Sequence, residues 1–496
     1  MKHLLRTASR KLLLTAAIPA LTVAGTAAQS VDFFKSNYTS PDGSAFSIAR
    51  GWDNNFFFTG NAYTGTGPAR HADVLLVKMK PNGDTLWKRT YGLPAKNETG
   101  YCVLTPLGDQ VIMAGTSDDT GAFSGAAFLM NINPADGNVL WQKSYPVPGK
   151  RTAVVDMKRL NDGFILCGTI TDSLTENTNA WLLKTDLNGN MLWHNNYGGA
   201  NYDDAWQVER TSDGGFMLAG GSYSYRTGTK YDDAWLVKTT GTGEQVWIKH
   251  YGNADTVDWI WGMAPVGNPA EPTGYIFTGV RNYDPNGIAS EMFLARVDTA
   301  GNIVWDASMP GNFGYREGLA IEPTLHNTFY VVASEHELSN SFSLLAMDID
   351  SNGNVLNELH YSNPGMEWLR PRGIYINNFN DAYVVGQQLF LTNELKPFAA
   401  HILHIDATAT SVGMVAAPAP VYVYPNPATR QCTVVSDGEP LQRIILRDAT
   451  GREVRNIVSA GAQYEQVALD GLAPGVYFFS VFTKGIAPVS LRLVIE

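Results

Sequence analysis

A run of apolar and basic residues built around one tryptophan recurs through the chain, and its spacing restricts the fold more than any other feature. It appears as LWKRTYG, LWQKSYP, LWHNNYGG, VWIKHYGN and VWDASMPG, with Trp87, Trp141, Trp193, Trp247 and Trp305 as markers. The intervals are 54, 52, 54 and 58 residues, and a sixth copy, VLNELHY, puts Leu356 in the tryptophan place 51 residues further on. A glycine turn precedes each copy: Asn82-Gly83, Asp136-Gly137, Asn188-Gly189, Thr242-Gly243, Ala300-Gly301 and Asn352-Gly353. Such pairs supply the positive φ angles of tight hairpins.

Two further runs repeat with the same period. One reads FFFTG, VIMAG, FILCG, FMLAG, YIFTG, YVVAS and YVVG; the other DVLLVKM, AAFLMNI, AWLLKTD, AWLVKTT, MFLARVD, FSLLAMD and AAHILHID. Seven units of four short strands predict an all-β, seven-bladed β-propeller over residues 29–412. A linear solenoid has the same period, but the chain ends favour a closed ring. The seventh unit lacks a tryptophan strand, whereas Phe34 to Tyr38 (FKSNY) match WKRTY. An N-terminal strand completing the last blade removes the exposed edges. One tryptophan per blade is expected to pack between blades rather than to form a binding ladder.

The segment NPADGNVLW resembles the tryptophan motif of propellers related to pyrroloquinoline-quinone enzymes and to outer-membrane assembly lipoproteins. That resemblance speaks to architecture only. The adjacent cysteine pair of many such quinone enzymes is missing, so no cofactor is carried over. Cys102, Cys167 and Cys432 are too few and too scattered for a disulfide framework, and Cys102 and Cys167, in apolar strands, are read as buried thiols.

The N-terminus reads as a secretory signal over residues 1–28. Lys2, Arg6, Arg10 and Lys11 precede an apolar stretch from Leu12 to Ala24, and Thr26-Ala27-Ala28 offers small residues for cleavage before Gln29. No other segment could span a membrane, so the mature chain is expected to have no transmembrane segment. Residues 29–420 carry 25 basic and 40 acidic side chains. That surface argues against nucleic acid or anionic lipid as the main partner.

Residues 413–420 (GMVAAPAP) are uncharged and read as a linker. Residues 421–496 follow as short alternating strands with turn chemistry between them, a small Ig-like β-sandwich. The ordered set VYVYPNPATRQCTVV, LRDATGREV, LDGLAPGVYFFSVF and LRLVIE resembles the type A C-terminal sorting domain of type IX secretion substrates in Bacteroidota. Pro425, Asn426, Pro427, Gly451, Gly475 and Tyr477 fall on family motif positions. The resemblance implies the type IX machinery as a partner, passage through the periplasm, and a protein released or attached at the cell surface. Arg492 stands where the family often has lysine, so charge is kept.

Aligning the units on a small residue in the innermost strand gives one position per blade: Ser44, Thr99, Thr152, Asp204, Asp258, Glu317 and Arg372. These should ring one channel mouth. Asp204, Asp258, Glu317 and Arg372 are its charged members. They could hold a cation or another ligand, a glycan or a protein, or they could tie neighbouring blades through backbone hydrogen bonds. Asp348 to Gly353 looks like the start of a calcium loop, but Leu359 stands where a bidentate glutamate is needed and the stretch coincides with the repeated turn. A weak surface calcium site is the most this allows, and no other cofactor is expected. No catalytic residue is singled out. Nucleophile motifs, paired histidines and sialidase-like aspartate boxes are all missing. A binding or interaction protein is the first reading and a carbohydrate-active enzyme the second.

Overall fold

The computed structural model describes residues 30–35, 43–65, 70–94, 96–106, 110–119, 124–226, 232–252, 256–284, 289–311, 314–336, 342–361, 366–377, 381–390, 398–406, 421–424, 426, 428–436, 440–448, 452–483 and 489–495. The signal and linker segments, with Pro425, Pro427 and Gly451, lie outside them. Strands are antiparallel throughout, save one parallel contact between sheets and isolated bridges. No helix occurs among the described residues, so none is long and apolar enough to cross a membrane.

Five four-stranded antiparallel sheets follow one another at 43–91, 96–145, 150–197, 207–251 and 257–310, each with its strands in chain order. An eight-stranded sheet follows. It divides into a sixth set, 316–361, and a seventh made of 366–406 and the N-terminal strand Ser30–Lys35. Among the described residues a single parallel ladder pair, Phe342 with Trp368, links the two halves.

Burial explains the composition of each strand. The two middle strands of a unit are covered on both faces, so FMLAGGS and DAWLVKT are buried at every position. The outermost strand is exposed or half-buried over most of its length, and QVWIKHY accordingly mixes polar and basic residues with apolar ones. Hydrophobic clusters bridge consecutive sheets. Val208, Leu218 and Trp235 of the fourth sheet pack with Ile165, Cys167 and Leu182 of the third. Phe56 and Phe58 of the first sheet pack with Tyr383 and Val385 of the seventh, closing the circle. The Gln387 amide crosses the same junction to Ser44 Oγ at 2.7 Å.

The N-terminal strand pairs antiparallel with Phe398–Asp406, as the match between FKSNY and WKRTY anticipates, but its register differs by one residue. Phe33, opposite His404, takes the place that Trp87 takes opposite Lys78; Phe34 does not. A similar offset corrects the sixth copy. Asn357, opposite Asp348, occupies the tryptophan position, and Leu356 is the extra residue of a local bulge. Matching on apolar character had skipped that inserted residue.

The tryptophans do join neighbouring sheets. Trp87, Trp141, Trp193, Trp247 and Trp305 each lie over the glycine of the following unit's hairpin: Gly137, Gly189, Gly243, Gly301 and Gly353. Those glycines have φ between 73° and 83°. The tyrosine four residues after the tryptophan donates to the same glycine's carbonyl, Tyr91 at 2.7 Å, Tyr145 at 2.8 Å, Tyr197 at 2.6 Å and Tyr251 at 2.8 Å.

The C-terminal residues form two sheets. Val421–Tyr424, Gln431–Ser436 and Tyr464–Ala468 make one; Glu453–Val458, Leu441–Asp448, Gly475–Thr483 and Val489–Ile495 make the other. Val434 and Val467 of the first share a core with Ile444, Leu446, Phe479 and Leu493 of the second. Asn426 Oδ1 accepts the Val494 N–H at 2.8 Å, and the Tyr477 hydroxyl donates to Ala473 O at 2.8 Å. Gly475 opens the central strand of the second sheet opposite Ile495. All three cysteines are buried free thiols.

The inter-sheet clasp can be isolated with two glycines of equal backbone geometry. Gly243 has φ 81° and a Cβ there would stand 2.5 Å from the Asn195 amide, the flexible end of a side chain, and 2.6 Å from the Trp193 ring, whereas Gly214 has φ 80° and open space around it. Both alanine variants carry the same backbone strain, so G243A should be the less stable by about 1–3 kcal/mol. Thermal and urea melts of the two proteins check this; equal destabilisation would mean the tryptophan contact contributes nothing.

Candidate functional site

Each innermost strand carries one inserted residue at a common place. The register shifts past Phe46, Tyr101, Val155, Trp261, Leu319 and Arg372 in six of the sheets. In the fourth sheet Asp204 N bonds Gly221 O and Trp206 N bonds Ala219 O, which gives Trp206 the same offset. A β-bulge turns a side chain away from the regular alternation. All seven inserted residues point into one cavity of about 470 Å³, walled by the innermost strands of all seven sheets.

A close approach holds each bulge. The second strand presents Gly60, Gly115, Gly168, Gly220 and Gly279 opposite it, and a Cβ there would lie 1.7–2.4 Å from the carbonyl oxygen of Ser44, Thr99, Ala153, Asp204 or Trp259. This defines the equivalent positions by structure: Ser44, Thr99, Ala153, Asp204 and Trp259, continuing with Glu317 and Arg370 in the last two sheets. Three members of the sequence alignment therefore move. Thr152 and Asp258 stand one residue earlier, and Arg372 stands two residues later, at the bulge. Gly373 misled the alignment: it is small because it abuts the backbone of Phe46 and Ser47 in the first sheet.

The four charged residues consequently have different surroundings. Asp258 is fully buried and accepts from Asn282 N at 3.0 Å and from the Thr256 hydroxyl at 3.3 Å, close to the loop that ends the fourth sheet. Thr152 does comparable work between the second and third sheets, accepting from Ala127 N and donating to Tyr145 O, each at 3.0 Å. Asp204 accepts from Gly221 N at 2.7 Å and from the Trp206 indole at 2.9 Å, fixing the orientation of a cavity-lining ring. Glu317 receives Arg370 at 2.8 and 3.0 Å and the Tyr315 hydroxyl at 2.7 Å. Of the four, Arg372 alone lines the cavity. Among the described residues it makes no hydrogen bond or ion pair, and its Nε is sealed from solvent without a partner.

Burial, and then the charge of Arg370, pull the Arg372 guanidinium down to about 10, which leaves it cationic at neutral pH. Aromatic rings surround the same level. Trp206 and Trp261 meet edge to face at 4.9 Å, Trp259 abuts Trp261 at 5.2 Å, and Phe46 packs on Tyr101 at 4.9 Å. Trp259 therefore covers Gly221 of the neighbouring sheet and buttresses the lining.

Three residues past the bulge lies a second charged layer that the sequence reading missed. Lys158, Glu209 and Glu322 occupy this level in the third, fourth and sixth sheets. Lys158 Nζ reaches Glu209 at 3.0 Å and Asp156 at 3.5 Å. Burial opposes the Lys158 charge, but the carboxylates of Asp156, Glu209 and Glu322 hold it well above its ordinary value. Burial pushes Glu322 up to about 7 against the pull of Lys158. The sequence signal was available as charged residues at equal offsets in VVDMKR, QVER and LAIEP.

No group of three or more His, Cys, Asp or Glu among the described residues is placed to hold a metal ion. The stretch resembling a calcium loop is a hairpin turn. Asp350 spends its carboxylate on the N–H groups of Asn352 and Asn354 and on the Asn354 amide, at 2.8–2.9 Å, as Asp298 and Asp186 do in their own turns.

Burial raises Asp204 to about 7, opposed by its bonds from Gly221, Trp206 and Tyr202. Between about pH 4 and 7 the folded protein therefore keeps a proton that the unfolded chain has released, and raising the pH across that window costs stability. D204N has no such proton. The difference in melting temperature between wild type and D204N should shrink from pH 4 to pH 8; a constant difference would place Asp204 among ordinary ionised carboxylates.

Residues 422–496 match the family described as a secretion system C-terminal sorting domain. No curated protein sequence is measurably similar to the chain. Among solved structures, a protein of unknown function from Bacteroides caccae is 11% identical, covers 65% of this chain and 94% of its own, and superposes with a TM-score of 0.33. One from Dyadobacter fermentans is 10% identical over 76% of this chain and 99% of its own, with a TM-score of 0.40. The β-propeller domain of the Trilobed protease from Pyrococcus furiosus is 7% identical over 74% and 96%, with a TM-score of 0.40. The sorting-domain match and the two-sheet core beneath it identify the C-terminal segment as a type IX secretion sorting domain, on an exported all-β chain that is attached to or released from the outer cell surface.

Proposed function

We propose that the chain is an exported binding protein whose ligand seat is the axial cavity of a seven-bladed propeller. Residues 1–28 are its signal peptide, 29–412 its propeller, 413–420 its linker and 421–496 its sorting domain, in a Bacteroidota-type bacterium. One observation carries the reading. A bulge in every innermost strand turns Phe46, Tyr101, Val155, Trp206, Trp261 and Leu319, with Arg372, toward a single cavity. A ring that needed only a packed axis could fill it with small apolar residues; partly exposed indoles and a guanidinium unpaired among the described residues are what recognition uses. In this reading Arg372 faces the ligand, Asp204 orients Trp206, Glu317 occupies Arg370, and Asp258 joins neighbouring sheets.

A second reading, a carbohydrate-active enzyme, is favoured by Glu322. A carboxyl held near pH 7 in the cavity, close to Asp156 and Glu209, has the protonation a general acid needs. Glycan turnover by the wild type that E322Q abolishes would replace the binding reading with this one.

A glycan array probed with purified propeller, with and without calcium, tests the main proposal. Binding should be lost or fall at least tenfold in W206A/W261A with the circular dichroism spectrum unchanged. Retention of full affinity by that variant would move the ligand off the cavity. For export, a chain ending at residue 420 should fold but stay in the periplasm of a host with type IX secretion. Protease treatment of intact cells reads this, and normal surface delivery of the truncated chain would contradict it.

A further inference from the structure

We infer that Arg372 is a carboxylate-binding residue, so that the cavity takes a ligand bearing a single negative charge beside an apolar or ring-shaped body. This rests on the cavity being the ligand seat. The first support is the charge inventory around Arg372. Arg370 is held by Glu317 at 2.8 Å and Arg151 by Asp118 at 2.8 Å. Both of these guanidiniums have their own carboxylates, and among the described residues Arg372 has none. Leaving a guanidinium poorly hydrated and unpaired is costly, and a ligand carboxylate would remove that cost through a planar two-point contact.

Position is the second support. The other six bulge residues are apolar or aromatic, so a ligand that packs on Trp206, Trp261, Phe46 and Tyr101 meets one cation at that level. The third support selects the charge of the ligand. The next layer, about 10 Å along the strands at the usual rise per residue, holds Lys158 with Glu209 and Glu322, and Asp156 reaches Lys158 from the stretch of strand between the two levels. Arg50 and Arg159 line the cavity one residue further along their strands, so the charge of the ligand is set at the level of Arg372. One guanidinium matches one carboxylate.

A carboxylate of this kind occurs on a uronic acid and at a peptide C-terminus, and the test separates them. Calorimetric titration of the full mature protein would use the monosaccharide methyl galacturonoside, with one free carboxylate, and its methyl ester, and the peptide N-acetyl-Gly-Gly-Phe with a free or an amidated C-terminus. At least one free carboxylate probe should bind at least tenfold more tightly than its blocked partner. R372Q should abolish that preference and R372K should recover part of it, while R372Q melts no lower than wild type because an uncompensated charge has gone. Equal binding of free and blocked probes, binding of neither pair, or a preference that survives in R372Q would each overturn the inference. The cavity reading fails separately: its marker is array binding that persists in W206A/W261A. Array binding that is lost in that variant but indifferent to R372Q would keep the cavity and remove the carboxylate.

Discussion

The propeller depends on a contact that no single sheet can make. A tryptophan and a tyrosine on one outermost strand close over the glycine turn of the next sheet, the ring covering the Cα and the hydroxyl taking the carbonyl. The turn must have positive φ to form the hairpin and must lack a side chain to admit the indole, so glycine serves both needs. Because the partner always lies in the following unit, each clasp sets the position of a neighbour. The hydrophobic clusters between sheets then pack against walls already placed. The outer strand tolerates basic residues because its tryptophan and tyrosine do the joining.

A second glycine column governs the axis. Gly60, Gly115, Gly168, Gly220 and Gly279 let the carbonyl of the facing strand approach closely enough to accommodate an inserted residue. The insertion makes the cavity wall: without it, the side chains at Phe46, Trp206 or Arg372 would follow the ordinary alternation into the inter-sheet packing. Asp204 adds a local refinement by binding the Trp206 indole, and Glu317 by engaging Arg370. The lining is thus set by backbone geometry first and by polar side chains second.

Much of this was legible in the sequence, and what was not has a common cause. The four-strand unit, its sevenfold recurrence and the N-terminal closing strand all follow from hydrophobic runs and glycine turns with a fixed period. Register was not legible to the residue, because a bulge adds one residue without altering composition. That is why Leu356 stood in for Asn357, Phe34 for Phe33, and Arg372 for Arg370. In the seventh sheet Pro371 fills the place of the small residue, and Gly373 two positions on drew the alignment to itself. The deeper charged layer escaped because its members are matched only when strands are aligned on their bulges. The C-terminal domain was more readable, since its ordered motifs carry their own signature.

The strand Ser30–Lys35 pairs with residues 402–406, at nearly opposite ends of the propeller sequence. Closing so long a loop is entropically unfavourable until the intervening sheets have formed and brought its ends together. Ring closure is therefore the last cooperative step of folding, not the first. Until residue 406 is available, the growing arc presents an uncovered apolar sheet face at each end, a surface open to association with another chain. A nascent or transported chain of this kind stays vulnerable to association for almost its whole length, and a single late contact ends that vulnerability.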